Sequence, residues 1–284
     1  MATPELPSFD LVVATVGRVA ELDRLLESLE EQSHKRFRVV LVDQNEDERV
    51  APLVDSHARL TIVHVRSERG LSRARNRGLQ EIVSEVVAFP DDDCEYGPNL
   101  LERVARVLAV EPGLDGLSGR SVGRDGRLSE SWERDAALLT DDNLWNRVNS
   151  AAIFLRRSLV ERVGAFDERL GLGSGTAAAS GEEIDYLIRA VRLGAHVHYD
   201  PGLAVTHDSP QLDASGESAV RYRDGASVGY ILRKHGYPAR ALGRMLVRPF
   251  GGAALSLAKL DPGRARLHAA TLRGRLAGFR RGRT

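Results

Sequence analysis

Along the first two hundred residues, short apolar runs alternate with segments that carry leucines at helical spacing. Phe9–Ala14 is apolar and rich in β-branched residues, the pattern of a buried strand. Val19–Glu31 then places Leu22, Leu25, Leu26 and Leu29 on one face of a helix. Arg38–Val42 reads as a second strand ending at Asp43-Gln44-Asn45, and Leu60–Val65 as a third. Strand, helix, strand is the unit that builds parallel sheets through right-handed crossovers. Gly70 suits a tight turn and Ser72 a helix N-cap, with a helix running on toward Ile82. A fourth strand spans Val86–Phe89 and is closed by Pro90. Pro98–Leu108 predicts a helix with proline in its first turn.

Residues 111–148 read as loop, because Gly113, Gly116, Gly119, Gly123 and Gly126 punctuate them. The only tryptophans, Trp132 and Trp145, lie there, and their flat faces suit either stacking on a sugar or ordinary packing. Asn149–Leu155 predicts another strand and Leu159–Val163 a short helix. The small-residue segment Gly171–Gly181 has no stable periodicity and reads as a flexible lid. A helix follows from Glu182 to about Leu193, with Ile184, Leu187, Ile188 and Val191 on one face. Ala195–Tyr199 alternates as a strand, with His196 and His198 as ordinary half-buried strand residues, and Ala204–Asp208 closes the region. Beyond Pro210 the pattern changes. Arg221–His235 is helical, Leu242–Leu260 is apolar but interrupted by Pro249, and the glycine- and arginine-rich end from 274 reads as frayed.

Composition adds three constraints. At 284 residues, with 42% apolar and 28% charged residues, the chain can bury a substantial core. Cys94 is the single cysteine, which excludes an intrachain disulfide and suits a reducing cytoplasm. The N-terminal stretch lacks a basic-then-apolar signal pattern, and no apolar run is long enough to span a bilayer, so a cytoplasmic location is expected. A formal net charge of zero hides an asymmetry: residues 221–284 hold 15 Lys/Arg against Asp224 and Asp261, a net of +13. Two accounts of this basic tail stand: attachment at the inner face of an anionic membrane, or packing onto the acidic body, with a homodimer contact as one form of it. No nucleic-acid partner is expected.

Candidate chemistry centres on Asp91-Asp92-Asp93 after the fourth strand. Three adjacent carboxylates repel one another, and a hard divalent ion such as Mn2+ or Mg2+ among them relieves the repulsion. A solvated acidic turn is the competing reading. The position favours the ion, because open α/β sheets bind ligands at the carboxyl ends of their strands. Glu182, Glu183 and Asp185 open their helix, where carboxylates complement the helix dipole whatever else they do.

Together these pieces resemble a family 2 glycosyltransferase. The matching segments are VVATVGR, Asp43, GLSRARNRG, PDDDC as a DXD-type motif, Asn149–Phe154, VGAFDE and GEEID, to about His207. The resemblance implies an α/β GT-A fold, the nucleotide-diphospho-sugar transferase fold. Its central, mostly parallel sheet is flanked by helices, with a catalytic domain over 1–210 and a basic helical extension over 211–284. It implies metal-dependent, inverting transfer from a nucleotide-diphosphate sugar, a UDP-sugar foremost, to a saccharide or lipid-linked acceptor in cell-surface polysaccharide or glycolipid assembly. By the same resemblance Thr15 and Arg75 hold the nucleotide, Asp43 meets the base, Asp91 the ribose or sugar, and Asp92 shares that task or the metal's. Asp93, with Asp91 and His207, holds the metal. A carboxylate among Glu182, Glu183 and Asp185 is the catalytic base; Glu182-Glu183 stands where the family has Glu-Asp, so Glu183 and Asp185 both remain candidates. Competing classes are a nucleotidyltransferase, for which the loop TVGR is poor in glycine, and a non-catalytic carbohydrate-binding relative.

Overall fold

A computed structural model describes residues 5–127, 132–207 and 213–282 of the chain. It groups into two compact units, Met1–Phe166 with Tyr186–Ser209, and Asp167–Asp185 with Pro210–Thr284. The first unit is built on one nine-stranded sheet. Its strands are β1 (Phe9–Thr15), β2 (Phe37–Asp43), β3 (Ile62–Arg66), β4 (Val86–Ala88), β5 (Cys94–Glu95), β6 (Gly116–Val122), β7 (Ala137–Leu138), β8 (Ile153–Arg156) and β9 (Val197–His207). Their order is β3-β2-β1-β4-β8-β6-β9-β5, with β7 paired to β9. β3, β2, β1 and β4 are mutually parallel; β8 is antiparallel between β4 and β6; β6 and β9 pair in parallel.

Both faces of the sheet are covered, as a parallel sheet requires. α1 (Val19–Glu30) buries Leu22, Leu25, Leu26 and Leu29, and α4 (Leu100–Val110) buries Leu101, Val104, Ala105 and Leu108, in one core with Leu11, Val13 and Leu41. A short helix, α2 (Ala51–Ser56), links β2 to β3. On the other face lies α3 (Leu71–Leu79), where a Cβ on Gly78 would meet Val12 Cγ1 at 2.4 Å. After β3 the chain crosses back to place β4 on the far side of β1. The strand order therefore reverses between β1 and β4, which is where doubly wound sheets open a binding crevice.

Four expectations need correction. Ser72 is inside α3; Gly70, at φ 134°, is the capping position, a conformation that suits glycine. The segment read as loop contains β6, a strand between β8 and β9. Its glycines are there because the backbones approach closely: a Cβ on Gly119 would lie 2.1 Å from Leu203 O. Val197–Tyr199 and Ala204–His207 are one strand, β9, carried through Pro201-Gly202 by a register shift opposite Ser118 and Arg120, with Ala195 and His196 ahead of it. The region from 274 is helical through Arg281.

That last correction belongs to the second unit. α5 (Arg157–Val163) lies in the first unit, and α6 (Glu182–Arg192) starts in the second. α7 (Ala214–Lys234), α8 (Ala239–Ala258) and α9 (Pro262–Arg281) follow. α7 and α9 touch backbone to backbone: a Cβ on Gly229 would sit 2.1 Å from Arg275 O, and one on Gly278 1.9 Å from Ala226 O. Glycine that looked like fraying is the condition for this packing. α8 runs unbroken through Pro249, whose ring is buried. The segment Asp167–Asp185 groups with these helices.

Gly119→Val should destabilise the protein by at least about 3 kcal/mol, lowering Tm by roughly 6–12 °C. Gly113→Ala, whose Cβ meets nothing within 4 Å, should melt like the parent. Equal melting temperatures for the two would contradict the close β6–β9 approach.

Candidate active site

The site lies at the carboxyl ends of β1, β2, β4 and β9, all in the first unit. β4 is short and wholly buried, Pro90 ends its ladder, and Asp91 still bridges to Ala14 of β1. Asp91 Oδ1 accepts from Arg75 Nη2 at 3.1 Å, and Oδ2 from Ser150 Oγ at 2.9 Å. Arg75 is 1% exposed, and its guanidinium lies 5.9 Å from the Phe89 ring and 5.6 Å from the Phe166 ring. Asn76 fixes Phe166 through two hydrogen bonds to its backbone, and Phe166 stacks on Tyr186 at 4.2 Å. A cation buried so fully needs an anionic partner and polarisable walls; α3 and this aromatic set supply them.

Asp92 and Asp93 share a second cation. Arg18, in the loop after β1, approaches Asp92 Oδ1 at 2.9 Å and Asp93 Oδ2 at 2.5 Å. Thr15 Oγ1 donates to Asp92 Oδ2 at 2.8 Å. His207 Nε2 donates to Asp93 Oδ1 at 3.0 Å, because β5 pairs with β9 in a register that sets Cys94 opposite His207. Burial lifts the Asp92 carboxyl to about 6 despite Thr15 and Arg18. Burial also pushes Asp93 up, but the His207 hydrogen bond and charge, with Arg18, outweigh it and hold Asp93 below the usual range. Reciprocally, the bond to Asp93 raises His207.

Among the described residues, no three His, Cys, Asp or Glu side chains converge tightly enough to hold an ion by themselves. Asp93 and His207 offer two donors. That set fits a divalent ion whose remaining positions come from phosphate oxygens and water, as ions carried on a diphosphate do. Asp91, expected with them at the metal, accepts from Arg75 and Ser150, as Asp93 accepts from His207 and Arg18.

Asp43 is wholly buried and fully used. Oδ1 accepts from the backbone and side-chain nitrogens of Asn45 at 2.8 and 2.7 Å; Oδ2 faces His64 at 3.2 Å and Arg66 at 3.0 Å. Asn45 Oδ1 accepts from Gly17 N, and Gln44 Oε1 from Gly70 N. Asp43, expected to meet the nucleobase, thus fixes the loop that ties the ends of β1 and β3 together. Sequence reasoning did not assign Arg18, Asn45, Gln44 or Ser150; an arginine directly after the first strand was the one available signal. Arg73 and Arg77 pair with Glu68 and Glu81, away from the acidic triplet. Trp132 is buried, Trp145 half-buried, His198 half-buried on β9 and His196 exposed ahead of it. Asp208 lies outside the described residues.

The second unit holds the other carboxylates. Asp185 is wholly buried, and its Oδ1 accepts from Lys234 Nζ at 2.6 Å and His235 Nε2 at 2.8 Å. Lys234 Nζ also donates to Asp167 Oδ2 at 2.7 Å. One ammonium therefore ties together the two ends of the segment that contains Gly171–Gly181. Burial raises Asp167, but hydrogen bonds from Arg169 and Lys234 outweigh it and hold the carboxyl far below the usual range. The loop itself is bonded: Thr176 Oγ1 donates to Arg169 O, and Ser180 Oγ to Ser227 Oγ. Glu182 is buried at the start of α6, while Glu183 is half-buried.

The fold is α/β with acidic residues at its strand ends, and comparison with known proteins gives the family. The family model for glycosyl transferase family 2 matches residues 10–167, and the chain belongs to that family. It is 29% identical over 214 residues to the pre-mycofactocin glycosyltransferase of Mycobacterium tuberculosis, an alignment covering 70% of this chain. The chain spans 42% of the length of that relative. It is 27% identical over 169 residues to a PGL/p-HBAD biosynthesis glycosyltransferase of Mycobacterium bovis, covering 57% of this chain and 64% of that one. Its fold matches that of the Pyrobaculum calidifontis mannosyltransferase PcManGT, solved with GDP-Man and Mn2+. The TM-score is 0.68 at 18% identity, over 97% of this chain and 89% of that one. It also matches residues 1–349 of S. aureus TarS in complex with UDP, with a TM-score of 0.59 at 20% identity, over 94% and 89% of the chains.

Because folding favours the neutral form of Asp92, its contribution to stability is present below about pH 4 and is lost as pH rises through about 6. A carboxyl NMR titration of the metal-free protein should give Asp92 a midpoint near that value. Arg18→Met should move it higher, since Arg18 holds it down. A midpoint near 4, the ordinary carboxylate range, would contradict the buried placement.

Proposed function

We propose that the protein transfers a sugar from a nucleotide-diphosphate sugar to a hydroxyl acceptor, with inversion at the anomeric carbon. The observation that carries this reading is the Asp93–His207 pair beside the Arg18 guanidinium at the sheet's switch point. Asp93 and His207 are the side chains that would hold Mn2+ or Mg2+. When bound, such an ion supplies Lewis-acid stabilisation of charge on the leaving diphosphate. Arg18 adds a second positive charge facing the same place. Asp91, oriented by Arg75 and Ser150, and Asp92, oriented by Thr15, accept hydrogen bonds from ribose or sugar hydroxyls. The loop that Asp43 and Asn45 fix forms the wall for the nucleobase.

The base in this reading is Glu183. It takes the proton of the acceptor hydroxyl as that oxygen bonds to the anomeric carbon, and the bond to the diphosphate breaks with its electron pair leaving on the phosphate oxygen. Asp185 is the weaker choice, since Lys234 and His235 occupy it in full burial; a base must reach the proton it removes. Support for the donor class comes from the neighbours solved with GDP-Man and with UDP. Support for a saccharide or lipid-linked acceptor comes from the mycobacterial relative named for PGL/p-HBAD biosynthesis. The single cysteine, buried on β5, accords with a cytoplasmic setting.

A panel of UDP- and GDP-sugars with Mn2+ tests the reaction. The expected products are a nucleoside diphosphate and, with water as acceptor, free sugar. Pyrophosphate release from a nucleoside triphosphate and a sugar 1-phosphate, with no cleavage of the nucleotide sugars, would indicate a nucleotidyltransferase, and no turnover with any of these would indicate a non-catalytic relative. Glu183→Gln should lower turnover by about 100-fold or more with donor KM little changed. Near-normal turnover in Glu183→Gln would overturn the base assignment.

A further inference from the structure

α8 carries a second, unexplained pattern. One side of this helix is taken: Ala241, Leu242, Pro249 and Ser256 are buried, and Arg275 of α9 donates to Met245 O. On the opposite side Val247, Phe250 and Leu257 are 69, 66 and 61% exposed. With Ala254, also exposed, they recur at intervals of three and four residues and form one stripe. Alongside it Arg240, Arg244, Arg248 and Lys259 are exposed, and Leu260 projects just beyond the helix end. α8 contains no Asp or Glu. The next acid, Asp261, is the N-cap of α9, accepting from Arg264 N. Across 239–281 ten Lys/Arg face this single acid.

Apolar stripe and cationic row must be met together. A second copy of this chain would bring one acid-free cationic helix against another, which like-charge repulsion opposes. A soluble polyanion would satisfy the arginines and leave the large apolar side chains in water. A lipid surface bearing negative headgroups meets both: the stripe enters the boundary of the acyl chains while the arginines remain at the phosphates. No helix among the described residues is long and apolar enough to cross a membrane, so the geometry concerns a helix lying in the surface.

We propose that α8 docks in the plane of an anionic membrane surface. Val247, Phe250, Ala254 and Leu257 face the lipid chains, and Arg240, Arg244, Arg248 and Lys259 face the headgroups. Vesicle flotation of the full chain tests this, with neutral phosphatidylcholine against vesicles containing about 30% phosphatidylglycerol. The protein should float with anionic vesicles alone, and about 0.5 M salt should weaken the binding by screening. Phe250→Glu with Leu257→Glu, both at exposed positions, should abolish flotation with an unchanged far-UV spectrum and melting curve. Each of Arg244→Glu and Arg248→Glu should lower partitioning about fivefold or more. Absence of flotation with anionic vesicles would overturn the proposal. So would undiminished flotation of Phe250→Glu/Leu257→Glu, which would mark purely ionic binding. A solution dimer that this double variant converts to monomer would place a second copy on the face instead.

Discussion

Three consecutive carboxylates at the end of a buried strand repel one another, and the architecture of the first unit is arranged around that repulsion. Each carboxylate draws its partners from different elements. Asp91 takes Arg75 of α3 and Ser150 ahead of β8; Asp92 takes Thr15 and Arg18 after β1; Asp93 takes Arg18 and His207 at the end of β9. Charges in a partly desolvated setting interact far more strongly than in water, so these pairs hold only if the strands keep their register. The β1–β4 switch point and the β5–β9 pairing bring the groups together. Fold and site are one constraint.

Where one face of an element is apolar and the period is regular, the sequence was enough. β1, α1, β2, β3, β4 and α4 follow from their patterns, as does the location of the acidic triplet at a strand's carboxyl end. Arg75, given to the nucleotide by resemblance, pairs with Asp91 of the triplet. What escaped were features set by distant contacts. β6 was hidden because glycine, normally a mark of turns, is needed at Gly116 and Gly119 for close approach to Phe154 O and Leu203 O. The same confusion made the end of α9 look frayed. The contacts of wholly buried Asp43 with Asn45, His64 and Arg66 also escaped, because no local pattern announces them.

The second unit places a different demand on its carboxylates. Lys234 and His235, at the end of α7, hold Asp167 and Asp185 and so fix the start of α6. Breaking a buried pair by removing one partner typically costs about 3–5 kcal/mol, so these contacts of Asp185 contribute to the framework of this unit. The helical tail that carries Lys234 also carries the exposed face of α8.

The central claim is that the acidic triplet is a diphosphate site completed by a divalent ion at Asp93 and His207. Calorimetric titration of UDP and GDP into the protein, with and without Mn2+, addresses it most directly. The account predicts saturable one-to-one binding of at least one nucleotide that requires Mn2+ and disappears in Asp93→Asn while the melting curve keeps its shape. Binding that is indifferent to both the ion and that substitution would contradict it.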